Sequence, residues 1–164
     1  MNIRPDAARM KRELAELVAI NSENPPGGEG AVAQWARERL ASLGFEVKLI
    51  EYAPARFNVE ARLVNGPGPV FAFNTHMDTV PAGDGWTSDA FTLTERDGRL
   101  HGRGSCDCKG PLAAMIEAAR MLVAERQAWS GTLMVVFTGD EEVASAGARH
   151  YAASRPEIDA VVVG

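Results

Sequence analysis

Residues 71–81, FAFNTHMDTVP, carry an apolar strand directly into a His-x-Asp pair and close on a proline. The run Val70–Thr75 reads as a buried strand, which puts His76 and Asp78 where a strand passes into a loop. Imidazole is a borderline-soft donor and carboxylate a hard one, a mixture that suits zinc, with cobalt or manganese as substitutes. Asp78, two residues on, can reach the second ring nitrogen of His76 and fix its tautomer. A half-buried histidine bonded to a nearby carboxylate has the same spacing, so the pair alone does not establish a metal site.

Two later segments offer further donors. Asp107 sits in GRGSCDCKG (102–110), ahead of a helical stripe of Leu112, Met115, Ile116, Ala119, Leu122 and Val123. The glycines permit sharp turns and Pro111 is tolerated in a first helical turn, so Asp107 is expected at or just before a helix N-terminus. The plain alternative is a helix-capping aspartate. Glu141 and Glu142 follow the apolar run 132–137, read as a buried strand. Adjacent carboxylates there repel unless a cation is present or one is protonated. One can bind an ion while the other, as general base, takes a proton from water that the ion has acidified; the residues alone do not say which is which. A solvated acidic turn is the alternative.

Cys106 and Cys108 flank Asp107. Thiolate ligation would displace the carboxylate, and there is no second cysteine pair. Alternating side chains are poorly directed for a disulfide, so two reduced thiols are expected, as in a cytosolic protein. Of the other histidines, His101 is read as a strand residue and His150 as lying on a surface helix.

Around these segments the pattern alternates between helix and strand. Met10, Leu14, Leu17 and Val18 mark one amphipathic helix, and Val32, Trp35, Ala36, Leu40 and Leu43 a second after the PPGG turn. Strands are expected at 45–51, 58–64, 70–75, 132–138 and 158–163, a hairpin near 91–102, and helices near 109–125 and 147–154. Helical crossovers favour parallel pairing, so the fold class is α/β: a mostly parallel sheet flanked by helices, with ligands at the carboxyl ends of strands.

The 164 residues are 46% hydrophobic, enough for one core, and carry a net charge of −5, which argues against nucleic acid as a partner. The N-terminus has neither a signal-peptide core nor a membrane-length apolar run, so a cytoplasmic location without membrane association is expected.

THMDTVP, Trp86 with SDAF, DGRLHGRGSCDCKG, FTGDEE and DAVVVG, in that order, together with SENPPGGE at 22–29, resemble the zinc peptidase and deacylase family of acetylornithine deacetylase, succinyl-diaminopimelate desuccinylase, aminoacylase and glutamate carboxypeptidase. The resemblance implies a centre of two Zn²⁺ ions, with Co²⁺ or Mn²⁺ possible, in which His76, Asp107 and Glu142 are ligands and Asp107 is the bridge. It makes Asp78 the partner of His76 and Glu141 the general base. The implied reaction is hydrolysis of an N-acyl amino acid or peptide; the alternatives are a dipeptidase or aminopeptidase with the same metal chemistry, or a non-catalytic truncated remnant.

Relatives continue beyond the strand ending at Gly164 into an acidic turn, a lid or dimerisation domain and a later histidine. Residues 1–164 are therefore expected to be the N-terminal part of the catalytic domain, C-terminally truncated, with dimerisation belonging to longer relatives. With two protein donors per ion instead of three, hydrolysis by this chain alone is expected to be slower by about a thousandfold or more than by an extended one. The loop around Trp86 is expected at the edge of the site, or else as a cover for the core.

Overall fold

A computed structural model describes residues 4–154 and 156–164. The elements, in order, are helix α1 (Ala7–Ala19), helix α2 (Gly30–Ser42), strands β1 (Glu46–Ala53), β2 (Arg56–Asn65) and β3 (Val70–His76), a hairpin of β4 (Thr94–Arg96) and β5 (Arg99–His101), helix α3 (Lys109–Ala124), strand β6 (Gly131–Thr138), helix α4 (Ala146–Ala153) and strand β7 (Ala160–Val163). Each element falls within a few residues of its expected place. A short 3-10 turn at Arg126–Ala128, not anticipated, joins α3 to β6.

Five strands form one sheet in the order β1-β2-β6-β3-β7. The α/β class is as expected, but the sheet is mixed and not mostly parallel. β3 pairs in parallel with β6 and with β7, while β2 pairs antiparallel with β1 and with β6. Loop length explains the difference: only a tight turn links β1 to β2, and parallel pairing needs a crossover. The crossovers occur through α3, between β3 and β6, and through α4, between β6 and β7.

The strand period of two divides β6 between the two faces of the sheet. Leu133, Val135 and Phe137 join the large core formed with α1, α2 and α3, whereas Met134 and Val136 join a small cluster with Ala72 and Tyr151 on the other face. The first face has three helices over it and the second has α4. α1 is clamped to α3 by Glu117, which accepts from Arg9 Nη2 at 2.7 Å, Arg9 Nε at 2.9 Å, Arg120 Nη1 at 3.0 Å and the Asp6 amide at 2.9 Å. Both of its oxygens are satisfied, which is what allows a carboxylate that is almost wholly buried.

Parallel pairing of β3 with β6 places His76 opposite Thr138. Two ends that are far apart in sequence thereby open at one edge of the sheet, and the loops beyond them carry the functional groups.

Candidate metal centre

His76, the last residue of β3, is buried. Its Nε2 lies 2.9 Å from Asp107 Oδ1, and its Nδ1 lies 3.0 Å from the backbone carbonyl of Asp78. The expected contact to the Asp78 carboxylate is longer, 3.6 Å. That carboxylate is engaged elsewhere, accepting from Asn24 Nδ2 at 2.8 Å and from the backbone amides of Glu141 and Glu142 at 3.1 and 3.2 Å. Asp78 thus holds the His76 ring chiefly through its main chain and the Glu141-Glu142 turn through its side chain.

Asp107 stands just ahead of α3, its side chain 72% exposed. Cys108 holds the capping position, without a side-chain cap bond, so the capping reading of Asp107 fails. The glycines before and after it have distinct reasons. Gly104 has φ +80°, and a Cβ there would lie 2.7 Å from Thr79 Cγ2; a Cβ on Gly110 would lie 2.4 Å from the Ser105 carbonyl. Both keep the loop close enough to bring Asp107 over His76. The buried Lys109 ammonium donates to the Ile20 carbonyl at 2.7 Å and ties this loop to the end of α1. Burial lowers its pKa to about 8, with Glu23 acting the other way.

Glu141 and Glu142 follow Asp140, which has φ +68°. Asp140 is the anchor of the turn: its carboxylate accepts from Asn24 Nδ2 at 2.9 Å, Arg56 Nη1 at 3.1 Å and the Ala146 amide at 3.1 Å. Arg56 in turn donates through Nε to the buried Glu29 at 2.6 Å, and the Tyr52 hydroxyl binds the same oxygen. Asn24, Arg56, Glu29 and Asp140 were missed as supports of the site. The apolar period carries no mark of them; the only signal was that Asn24 and Glu29 lie within SENPPGGE.

Ligand-capable atoms of His76, Asp107 and Cys108 lie within 4.8 Å of one another, as do those of His76, Glu141 and Glu142. The structure therefore gathers all five expected residues, with the Cys108 thiol beside them, 2.6 Å from Thr75 Oγ1. His101 and His150 belong to neither cluster.

The electrostatics describe a place for a cation. Burial, then Asp107, pushes the Glu142 carboxyl up, against the opposing pull of His76. Burial works against the His76 imidazolium, yet Asp78, Cys108 and Asp107 outweigh it and raise its pKa to about 11. Burial likewise opposes Asp78 ionisation, but the His76 ring, Asn24 and the two backbone amides hold its carboxyl at about 2. In the metal-free state the imidazolium proton supplies the positive charge that the carboxylates require. A divalent ion competes for the same nitrogen, and donors of one tetrahedral zinc stand roughly 3.3 Å apart, near the spacing of His76 Nε2 and Asp107 Oδ1. The donor set fits such an ion.

A histidine and carboxylates gathered where strands of an α/β sheet end stand where such sheets carry their ligand sites. Residues 72–164 match the model of Peptidase family M20/M25/M40, and the chain belongs to that family, whose members are metallohydrolases. It is 38% identical over 125 residues to a succinyl-diaminopimelate desuccinylase of Pseudoalteromonas atlantica, covering 75% of this chain and 33% of that one. It is 35% identical over 158 residues to an acetylornithine deacetylase of Vibrio vulnificus, covering 93% and 40%. The chain thus spans between a third and two fifths of the length of these relatives.

Human carnosine dipeptidase 1 superposes with a TM-score of 0.84 at 26% identity, over 96% of this chain and 38% of that one. The YXEP protein of Bacillus subtilis, described as a dinuclear metal-binding peptidase, shares the fold with a TM-score of 0.69 at 22% identity, over 95% and 42%. No helix of the described residues is long and apolar enough to cross a membrane.

Proposed function

We propose that this chain carries part of the active site of a metal-dependent hydrolase that cleaves the amide bond of an N-acyl amino acid. His76, Asp107 and Glu142 would hold divalent ions, zinc or in its place cobalt or manganese. The observation that carries the reading is the convergence of His76 with Asp107 on one side and with Glu141 and Glu142 on the other. When bound, such ions polarise a carbonyl and acidify water.

The chain's own residues do the remaining work. The Asp78 carbonyl accepts a hydrogen bond from His76 Nδ1–H, which leaves the Nε2 lone pair facing Asp107. Glu141, more exposed than Glu142, would take a proton from water and return it to the leaving amine. Ionised Asp78 holds the backbone of both glutamates, so the base and the ligand keep a fixed spacing. The names of the deacylase relatives support an N-acyl substrate. The likeness to carnosine dipeptidase 1 favours, as a second reading, a dipeptidase using the same donors.

Competitive chelator titration separates base from ligand without needing turnover. Glu142→Ala is expected to weaken zinc binding about tenfold or more, and Glu141→Ala to leave it within about twofold. In the chain joined to the remainder of a relative-length protein, Glu141→Ala removes hydrolysis of N-acetyl and N-succinyl amino acids. An unaltered zinc affinity in Glu142→Ala, or full hydrolysis in Glu141→Ala, overturns the assignment; preferential cleavage of dipeptides selects the second reading.

A further inference from the structure

A polar cavity of about 410 Å³ opens beside the loop that leaves β3, lined among others by Ala82, Asp84, Trp86, Arg96, His101 and Arg103. Two guanidinium groups face it, and the bonds described for them go to neutral oxygens. Arg96 Nη1 donates to Thr87 Oγ1 at 3.1 Å, and Arg103 Nη2 donates to the Ala82 carbonyl at 3.2 Å. Arg103 Nε is buried without a partner, a state that costs free energy unless a ligand relieves it.

The cavity is built, not merely exposed. The Trp86 indole donates to the same Ala82 carbonyl at 2.9 Å, the Arg103 guanidinium lies 5.4 Å from the indole centroid, and the Arg103 amide donates to Ala90 at 2.7 Å. Trp86 is thus a wall of a polar cavity and does not cover the core.

We infer that this cavity is a carboxylate subsite that takes the end of the substrate remote from the scissile bond. Planar guanidinium groups match a carboxylate with two parallel bonds. Two such groups against the single carboxylate of Asp84 leave room for one negative charge, and Asp84 opposes a doubly charged phosphate. Position supports the assignment. Ala82 is four residues beyond Asp78 and Arg103 four residues before Asp107, so these two lining residues lie within about 15 Å of those backbones along the chain. A short acyl chain or amino-acid side chain ending in a carboxylate spans that distance in part. The inference rests on the hydrolase reading of the metal centre, but its test does not.

The Trp86 indole N–H signal in a ¹⁵N spectrum, assigned with Trp86→Phe, reports on the cavity in the metal-free chain. Succinate is expected to shift it saturably at constant ionic strength. Arg96→Gln, on the exposed rim, and Arg103→Lys should each weaken binding about fivefold or more, and Asp84→Asn should tighten it about twofold. If Arg103→Lys fails to fold, Arg96→Gln decides. Absence of saturation, an equal response in Arg96→Gln, or a preference for inorganic phosphate over succinate overturns the subsite. Succinate binding by a chain that takes up no zinc when titrated with it would sink the hydrolase reading alone; zinc uptake without a succinate response would sink the subsite alone.

Discussion

At the scale of single residues, the chain separates donors from the groups that aim them. His76, Asp107, Glu141 and Glu142 were marked in the sequence because each ends an apolar run or interrupts a glycine-rich one. Their supports were not marked, since Asn24 and Arg56 reach Asp78 and Asp140 across 54 or more residues of chain, a distance at which periodicity is silent. His76→Ala and Asp107→Ala should each lower zinc affinity more than about tenfold, whereas His101→Ala and His150→Ala should leave it nearly unchanged. The reason is placement: His101 lines the Trp86 cavity and His150 is exposed on α4. Competition with a chelator measures all four, and equal losses for His101 and His76 would contradict the assignment.

Among elements, helices and strands were legible because burial repeats every 3.6 or 2 residues, while pairing was not. Nothing in the run at 132–138 distinguishes a strand with parallel neighbours on both sides from β6, which has β3 on one edge and antiparallel β2 on the other. The clamp between α1 and α3 yields a pH prediction. The bond from Arg9 holds the Glu117 carboxyl at about 2 against burial, with help from Asp6 and Arg120, below its ordinary 4.5. The unfolded chain binds this proton more tightly than the folded one, so the stabilisation is complete above pH 4.5 and lost as pH falls towards 2. Glu117→Gln is expected to cost about 3 kcal/mol at neutral pH, since it leaves the paired cations short of their anion. Urea unfolding at a series of pH values checks it: the difference from the parent should narrow below pH 4.5, and a constant difference would refute the clamp.

For the whole molecule, the uneven cover of the sheet matters most. β7 lies on the edge beyond β3, with Val161, Val162 and Val163 at 51%, 48% and 67% exposure, and an apolar groove of about 460 Å³ runs alongside it under α4. An unpaired apolar edge strand is a template for association. The chain is expected to self-associate at micromolar concentration, and Val163→Lys to reduce this by placing a charge on the edge. Sedimentation velocity distinguishes the two; a monodisperse monomeric parent protein at these concentrations would overturn the expectation.

A different consequence follows from the way Asp78 grips the turn after β6. Its carboxylate holds the amides of residues 141 and 142, and an amide is common to every residue except proline. The grip is therefore indifferent to which side chains stand there. Mutation can exchange the chemistry at both positions while the backbone that presents it stays in place, so the turn serves as a socket whose contents evolution or a designer can replace without rebuilding its frame.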